Sequence, residues 1–118
     1  MRGSVACVAD PTVPEIDVAE LAQRRDAGAP VIDVRETDEW EEFRVPGAAL
    51  IPLNEVPDRI DEVPTDRTVY VVCRSGGRSA KAVAFLRGHG LDAVNVAGGS
   101  LAWAEAGNVV DSGPGPVG

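Results

Sequence analysis

Residues 69–79 read Val69-Tyr70-Val71-Val72-Cys73-Arg74-Ser75-Gly76-Gly77-Arg78-Ser79, and the fold turns on what this stretch can do. A short apolar run rich in β-branched side chains reads as a buried strand, and two adjacent glycines after it call for a tight turn. The strand therefore stops at Cys73. Beyond Ser79, the side chains of Ala80, Val83 and Ala84 fall at helical spacing with Phe85 and Leu86 beside them, and Gly88 or Gly90 can close the helix. The loop of residues 73–78 thus opens onto a helix N-terminus.

A curled, glycine-rich loop ahead of a helix turns successive backbone N–H groups inward, and the positive end of the helix dipole adds to them. A cysteine held there ionises below its ordinary pKa of about 8.5, more so beside arginines. Cys73 is accordingly the candidate nucleophile. Arg74 and Arg78 are candidate anion binders, and Ser75, Gly76, Gly77 and Ser79 complete the loop. The single histidine, His89, falls at the far end of the following helix, so no general base stands near and the loop itself must activate the thiol.

Working outward, a chain of 118 residues makes one domain. No apolar run approaches the roughly 20 residues of a membrane span. The formal charge of -8 argues against nucleic acid, which needs a concentrated basic face. Arginines nonetheless cluster around Cys73, so an acidic body is expected to present a locally basic mouth suited to a small anion. The two cysteines, Cys7 and Cys73, form no disulfide framework and no zinc-ligand spacing. No metal and no cofactor is expected, and the reactive thiol points to the reducing cytoplasm.

The chain is expected to divide into a flexible leader over residues 1–14, a domain over 15–110 and a disordered tail over 111–118. Cys7 in the leader is read as an unreactive free thiol. Asp17 caps a helix over about residues 18–27, and Val31-Ile32-Asp33-Val34 is a strand. Asp33 interrupts that apolar run and must be paired or hydrogen-bonded if buried. Its structural reading, holding loop amides or an arginine, is preferred to a catalytic one, and Arg35 is expected to pair with Glu39 or Glu42. Thr37 caps a short acidic helix whose Trp40 and Phe43 face the core, and Arg44 reads as a solvated surface residue. A short strand follows near residues 48–51, then a segment broken by Pro57 and Pro64. After the Cys73 helix, residues 91–96 form another strand. Gly98 and Gly99 allow close packing beside the active loop, and Ser100 caps a last helix carrying Leu101 and Trp103. Strands alternating with helices imply an α/β fold with a mainly parallel sheet flanked by helices on both faces, whose ligands bind beyond the strands' carboxyl ends.

The run Cys73-Arg-Ser-Gly-Gly-Arg-Ser79 resembles the active-site loop of single-domain rhodaneses, sulfurtransferases that carry sulfane sulfur as a cysteine persulfide. Val31-Ile-Asp-Val-Arg35, the cluster at residues 39–43, Val45-Pro-Gly-Ala48 and Val96-Ala-Gly-Gly-Ser-Leu-Ala-Trp-Ala-Glu-Ala-Gly107 fall in the family's order. The resemblance implies a five-stranded sheet and a thiosulfate sulfurtransferase. Its substrates would be a small anionic donor such as thiosulfate and a thiol or cyanide acceptor, with a protein acceptor as a further possibility and neither nucleic acid nor membrane as a partner. The chain departs from the family pattern at Phe43-Arg44-Val45, where a longer connector usually ends in a Gly-His pair. One rival reading is phosphatase or arsenate chemistry, but the loop Cys73-x4-Arg78 is a residue shorter than the phosphatase loop. The other is a persulfide carrier or regulatory module acting on a protein partner.

Overall fold

The computed structural model describes residues 13–114; the reading of Cys7 and most of the leader lies outside them. In chain order come β1 (Glu15–Ile16), α1 (Val18–Asp26), β2 (Val31–Asp33), α2 (Thr37–Glu42), β3 (Ala49–Leu50), two short helical turns at Leu53–Glu55 and Ile60–Glu62, β4 (Val69–Val72), α3 (Gly77–Gly88), β5 (Ala93–Val96) and α4 (Gly99–Glu105). The five strands form one sheet in the order β1-β5-β4-β2-β3, and every pairing is parallel. This is the expected α/β architecture. No helix among the described residues is long and apolar enough to cross a membrane.

β4 occupies the centre, and its alternation divides the core. Val69, Val71 and Cys73 pack on one face with Ala82, Val83 and Leu86 of α3 and with Val56 and Val63. Tyr70 and Val72 face the opposite layer, where Leu21 of α1, Trp40 of α2 and Trp103 of α4 cover the sheet. A strand buried on both faces needs apolar residues at every position, which is why Val69–Val72 does not alternate with polar ones. Each such valine contributes about 1.5–3 kcal/mol by leaving water. On α3 the buried stripe is Ser79, Ala82, Val83 and Leu86; Ala84, expected on that stripe, is exposed. A stripe at i, i+3, i+4, i+7 starting from Ser79 is helical spacing with a polar first member.

Local chemistry explains the element ends. Asp17 caps α1, its Oδ1 accepting from Glu20 N at 2.9 Å. The cap of α2 is Glu36 rather than Thr37: Thr37 is the first helical residue, and Glu39 reaches back to accept from Glu36 N at 2.9 Å.

The structure differs from expectation at the two ends of the described residues and at Arg44. Val13 packs against the core and Pro14 O accepts from Asn95 N at 2.9 Å, so order begins before residue 15. Arg44 is buried rather than solvated: its guanidinium stacks 4.6 Å from the Trp40 ring centre and donates to Trp40 O and Gly113 O at 2.9 and 2.7 Å. Its main chain pairs with Asp111 through bonds of 2.8 and 3.1 Å. Residues 111–113, expected to be disordered, are thereby stapled to the domain.

Candidate active site

From β4 the chain continues to β5 on one side, while β2 leads to β3 on the other. The strand order therefore reverses direction between β4 and β2, and such sheets bind ligands beyond the carboxyl ends of the strands at that point. Cys73 stands there, one residue past β4. It is 1 % exposed, at the floor of its loop.

The loop is shaped from below. Cys73 O accepts from Ser100 N at 2.8 Å and Arg74 O from Leu101 N at 3.1 Å. Those donors belong to the first turn of α4, where helix N–H groups have no partner within the helix. With its carbonyls drawn toward α4, the loop turns its amides onto the sulfur. Gly76 N lies 3.0 Å from Cys73 Sγ, and Gly76 reaches this arrangement with φ +113°, a region that favours glycine. Ser100, expected to cap α4, instead contributes its backbone amide to the loop, and Gly98 holds the cap position.

Ser79 lies buried beneath the sulfur. Its hydroxyl is 3.4 Å from Cys73 Sγ, 3.2 Å from Gly76 O and 2.5 Å from Asn95 Oδ1. One proton serves three acceptors, so it is available to the sulfur when the sulfur is charged. Asn95 in turn donates to Glu15 Oε2 at 2.9 Å and to Gly76 O at 3.3 Å. This buried asparagine in β5 was not singled out from the sequence. Its signal was a polar residue inside an apolar strand, the same signal that marked Asp33.

Burial pushes the Cys73 thiol up, and this is the largest single effect. Hydrogen bonds from the Ser79 hydroxyl and from the amides of Ser79, Gly76 and Ser75 together outweigh it, so the net shift is downward. His89 is remote from this chemistry, its Nδ1 3.0 Å from Phe85 O at the end of α3.

The arginines are arranged differently from expectation. Arg35 pairs with neither Glu39 nor Glu42. It is fully buried against Asp33, with Nη2 to Oδ2 at 2.8 Å and Nε 3.0 Å from both oxygens. A further bond from Arg35 to Phe43 O at 2.7 Å ties β2 to the end of α2. Phe43, expected in the core, is half-buried beneath this guanidinium, 5.5 Å from it. Among the described residues no hydrogen bond joins Asp33 or Arg35 to the Cys73 loop, which fits the structural reading of Asp33. Glu39 binds Arg78 instead, through two bonds of 2.8 Å, and Glu42 lies 3.6 Å from Arg74. The bond from Arg78 holds the Glu39 carboxyl down to about 2. The mouth is therefore charge-balanced, not basic.

Comparison with known proteins identifies the family. Residues 17–106 match the rhodanese-like domain family. A sulfurtransferase of Allochromatium vinosum is 40% identical over 98 residues, covering 80% of this chain and 92% of that protein. The thiosulfate sulfurtransferase GlpE of Pseudomonas syringae is 34% identical over 80 residues, 67% of this chain and 76% of its own. A rhodanese-related protein from Thermoplasma volcanium superposes with a TM-score of 0.79 at 35% identity, over 83% of this chain and 97% of that one. The chain belongs to the rhodanese-like domain family.

Proposed function

We propose that the protein is a sulfurtransferase that carries sulfane sulfur as a persulfide on Cys73, working in the cytoplasm where the thiol stays reduced. The observation that carries this reading is the loop holding Sγ, with Gly76 N at 3.0 Å and the Ser79 hydroxyl at 3.4 Å. Such a cradle favours an anion on one sulfur atom and on a second sulfur attached to it. It is a residue shorter than the loop that encloses a tetrahedral phosphoryl group.

Two displacements follow. The Cys73 thiolate attacks the outer sulfur of a donor; with thiosulfate the S–S bond breaks, sulfite leaves with the electron pair and Cys73–S–S⁻ remains. A thiol or cyanide acceptor then attacks the terminal sulfur, and the Cys73 thiolate is the leaving group. Amides of Ser75, Gly76 and Ser79 and the Ser79 hydroxyl hold the negative charge on Cys73 Sγ, first as the attacking thiolate and again as the leaving group. A sulfur this recessed is reached only end-on, which suits a donor with its transferable sulfur at the tip. The thiosulfate activity of the GlpE relative supports thiosulfate as a first assay donor.

Intact mass before and after treatment with thiosulfate or a thiol persulfide, and then with cyanide, tests the reading. Expected is the gain of one sulfur atom, its loss to cyanide and no gain in Cys73→Ser. No gain from any sulfane donor would reject it.

A further inference from the structure

The arginines of the catalytic loop do not stand free. Arg78 is bound by both carboxylate oxygens of Glu39 at 2.8 Å, and Arg74 has Glu42 at 3.6 Å. Both carboxylates come from α2, which also carries exposed Asp38 and Glu41 and is preceded by exposed Glu36. The only lysine, Lys81, is exposed on α3. Each cation of the loop, Arg74 and Arg78, thus stands against one carboxylate of α2, Glu42 and Glu39.

A doubly charged donor entering this mouth meets each arginine together with its carboxylate. An arginine retains N–H donors after a two-point pairing, but the long-range attraction that raises encounter rates is cancelled by the adjacent charge. Glu39 stays ionised at any pH near neutrality, because the bond from Arg78 holds its carboxyl down to about 2. The cancellation is therefore permanent.

Resting on the sulfur-transfer reading above, we infer that Glu39 and Glu42 are specificity-determining residues: they turn the site away from dianionic donors such as thiosulfate and toward thiol persulfides whose leaving thiol carries positive or no net charge. In that reaction the Cys73 thiolate attacks the outer sulfur of R–S–SH. The R–S bond to that sulfur breaks with its electrons leaving on R–S⁻, and the proton stays on the transferred sulfur to give Cys73–S–SH.

The test is the rate of Cys73 persulfidation, followed by intact mass at low ionic strength. The donors are thiosulfate, 2-aminoethyl persulfide and 2-carboxyethyl persulfide, the last two differing only in the sign of the tail. Wild type is expected to load faster from the aminoethyl than from the carboxyethyl donor. In Glu39→Gln and in Glu42→Gln that ratio should fall, and the thiosulfate rate should rise about tenfold, the size of a two-charge interaction at roughly 6 Å in the dielectric of water. The carboxamide introduced by Glu39→Gln keeps an acceptor for Glu36 N, and Glu42 is 61 % exposed, so both variants fold. Glu105→Gln, at the far end of α4, controls for net charge. Loading with an unchanged ratio and unchanged thiosulfate rate in both variants would overturn this inference alone. No loading of wild type from any donor would overturn the sulfur-transfer reading and this inference with it.

Discussion

Gly99 is where the catalytic loop and α4 come closest, and its replacement by alanine tests how the loop is shaped. A Cβ built there lies 2.3 Å from Cys73 O, 2.6 Å from Arg74 O and 2.7 Å from Arg74 C, against an ordinary contact of 3.4–4 Å. All three atoms are backbone, so no side chain can swing away and the loop must shift by about 1 Å. The φ of +59° at this residue costs a non-glycine residue about 1–2 kcal/mol. Overpacking adds about 1–3 kcal/mol. Weakening the bonds from Ser100 N and Leu101 N to the loop carbonyls adds about 1–2 kcal/mol more. Gly99→Ala should therefore lose roughly 3–7 kcal/mol in urea unfolding. The midpoint of its Cys73 alkylation rate against pH should rise as the loop amides turn off the sulfur. Gly77→Ala is the matched control, because its Cβ meets nothing within 4 Å and its φ is not positive; it should stay within about 1 kcal/mol of wild type. A Gly99→Ala protein as stable as the control, with an unmoved alkylation midpoint, would refute the claim that this contact shapes the site.

The wild-type alkylation midpoint itself should lie below the value of about 8.5 for free cysteine, and Ser79→Ala should raise it, since the Ser79 hydroxyl is the strongest of the groups that lower it. A wild-type midpoint at or above about 8.5 would refute activation by the loop. Arg35→Met leaves Asp33 as an unpaired charge at a site of 0% exposure and should cost about 3–5 kcal/mol in urea unfolding, much of it recovered when Asp33→Leu is added. A single-variant loss under about 1 kcal/mol would show that the pair does not hold the fold. Glu39 titrates near 4.5 when unpaired and near 2 in the folded chain. A carboxyl depressed by folding stabilises fully above its unfolded value and loses that contribution as pH falls toward the folded one. The stability of wild type should thus drop more steeply between pH 4.5 and 2 than that of Glu39→Gln; parallel acid limbs would contradict the pairing.

Features set by contiguous residues were legible in the sequence. The strand, loop and helix around Cys73 follow from an apolar run, two glycines and a helical stripe, and the Asp17 cap is chemistry three residues long. Features set by residues brought together from afar were not. Glu39 and Arg78 are separated by 39 positions, and nothing in either segment reveals that the mouth's charges cancel. Arg44 looks like any surface arginine until the Trp40 ring and the Gly113 carbonyl enclose it. β1 spans only Glu15–Ile16, too short for a period, and is held by its parallel neighbour β5. Asn95 stood in plain view as a polar break in β5, and the reasoning applied to Asp33 would have found it.

The Arg44 staple bears on where the unit can be cut. A protein trimmed to the family match at residues 17–106 would keep every atom of the catalytic loop. It would shed both main-chain bonds to Asp111 and the carbonyl of Gly113, leaving the cation of Arg44 with Trp40 alone. It would also shed Glu15, the carboxylate at the end of the Asn95 and Ser79 chain. The family outline and the stretch spanned by these bonds are thus different lengths in this chain. In any fusion, the joints belong outside residues 13 and 113.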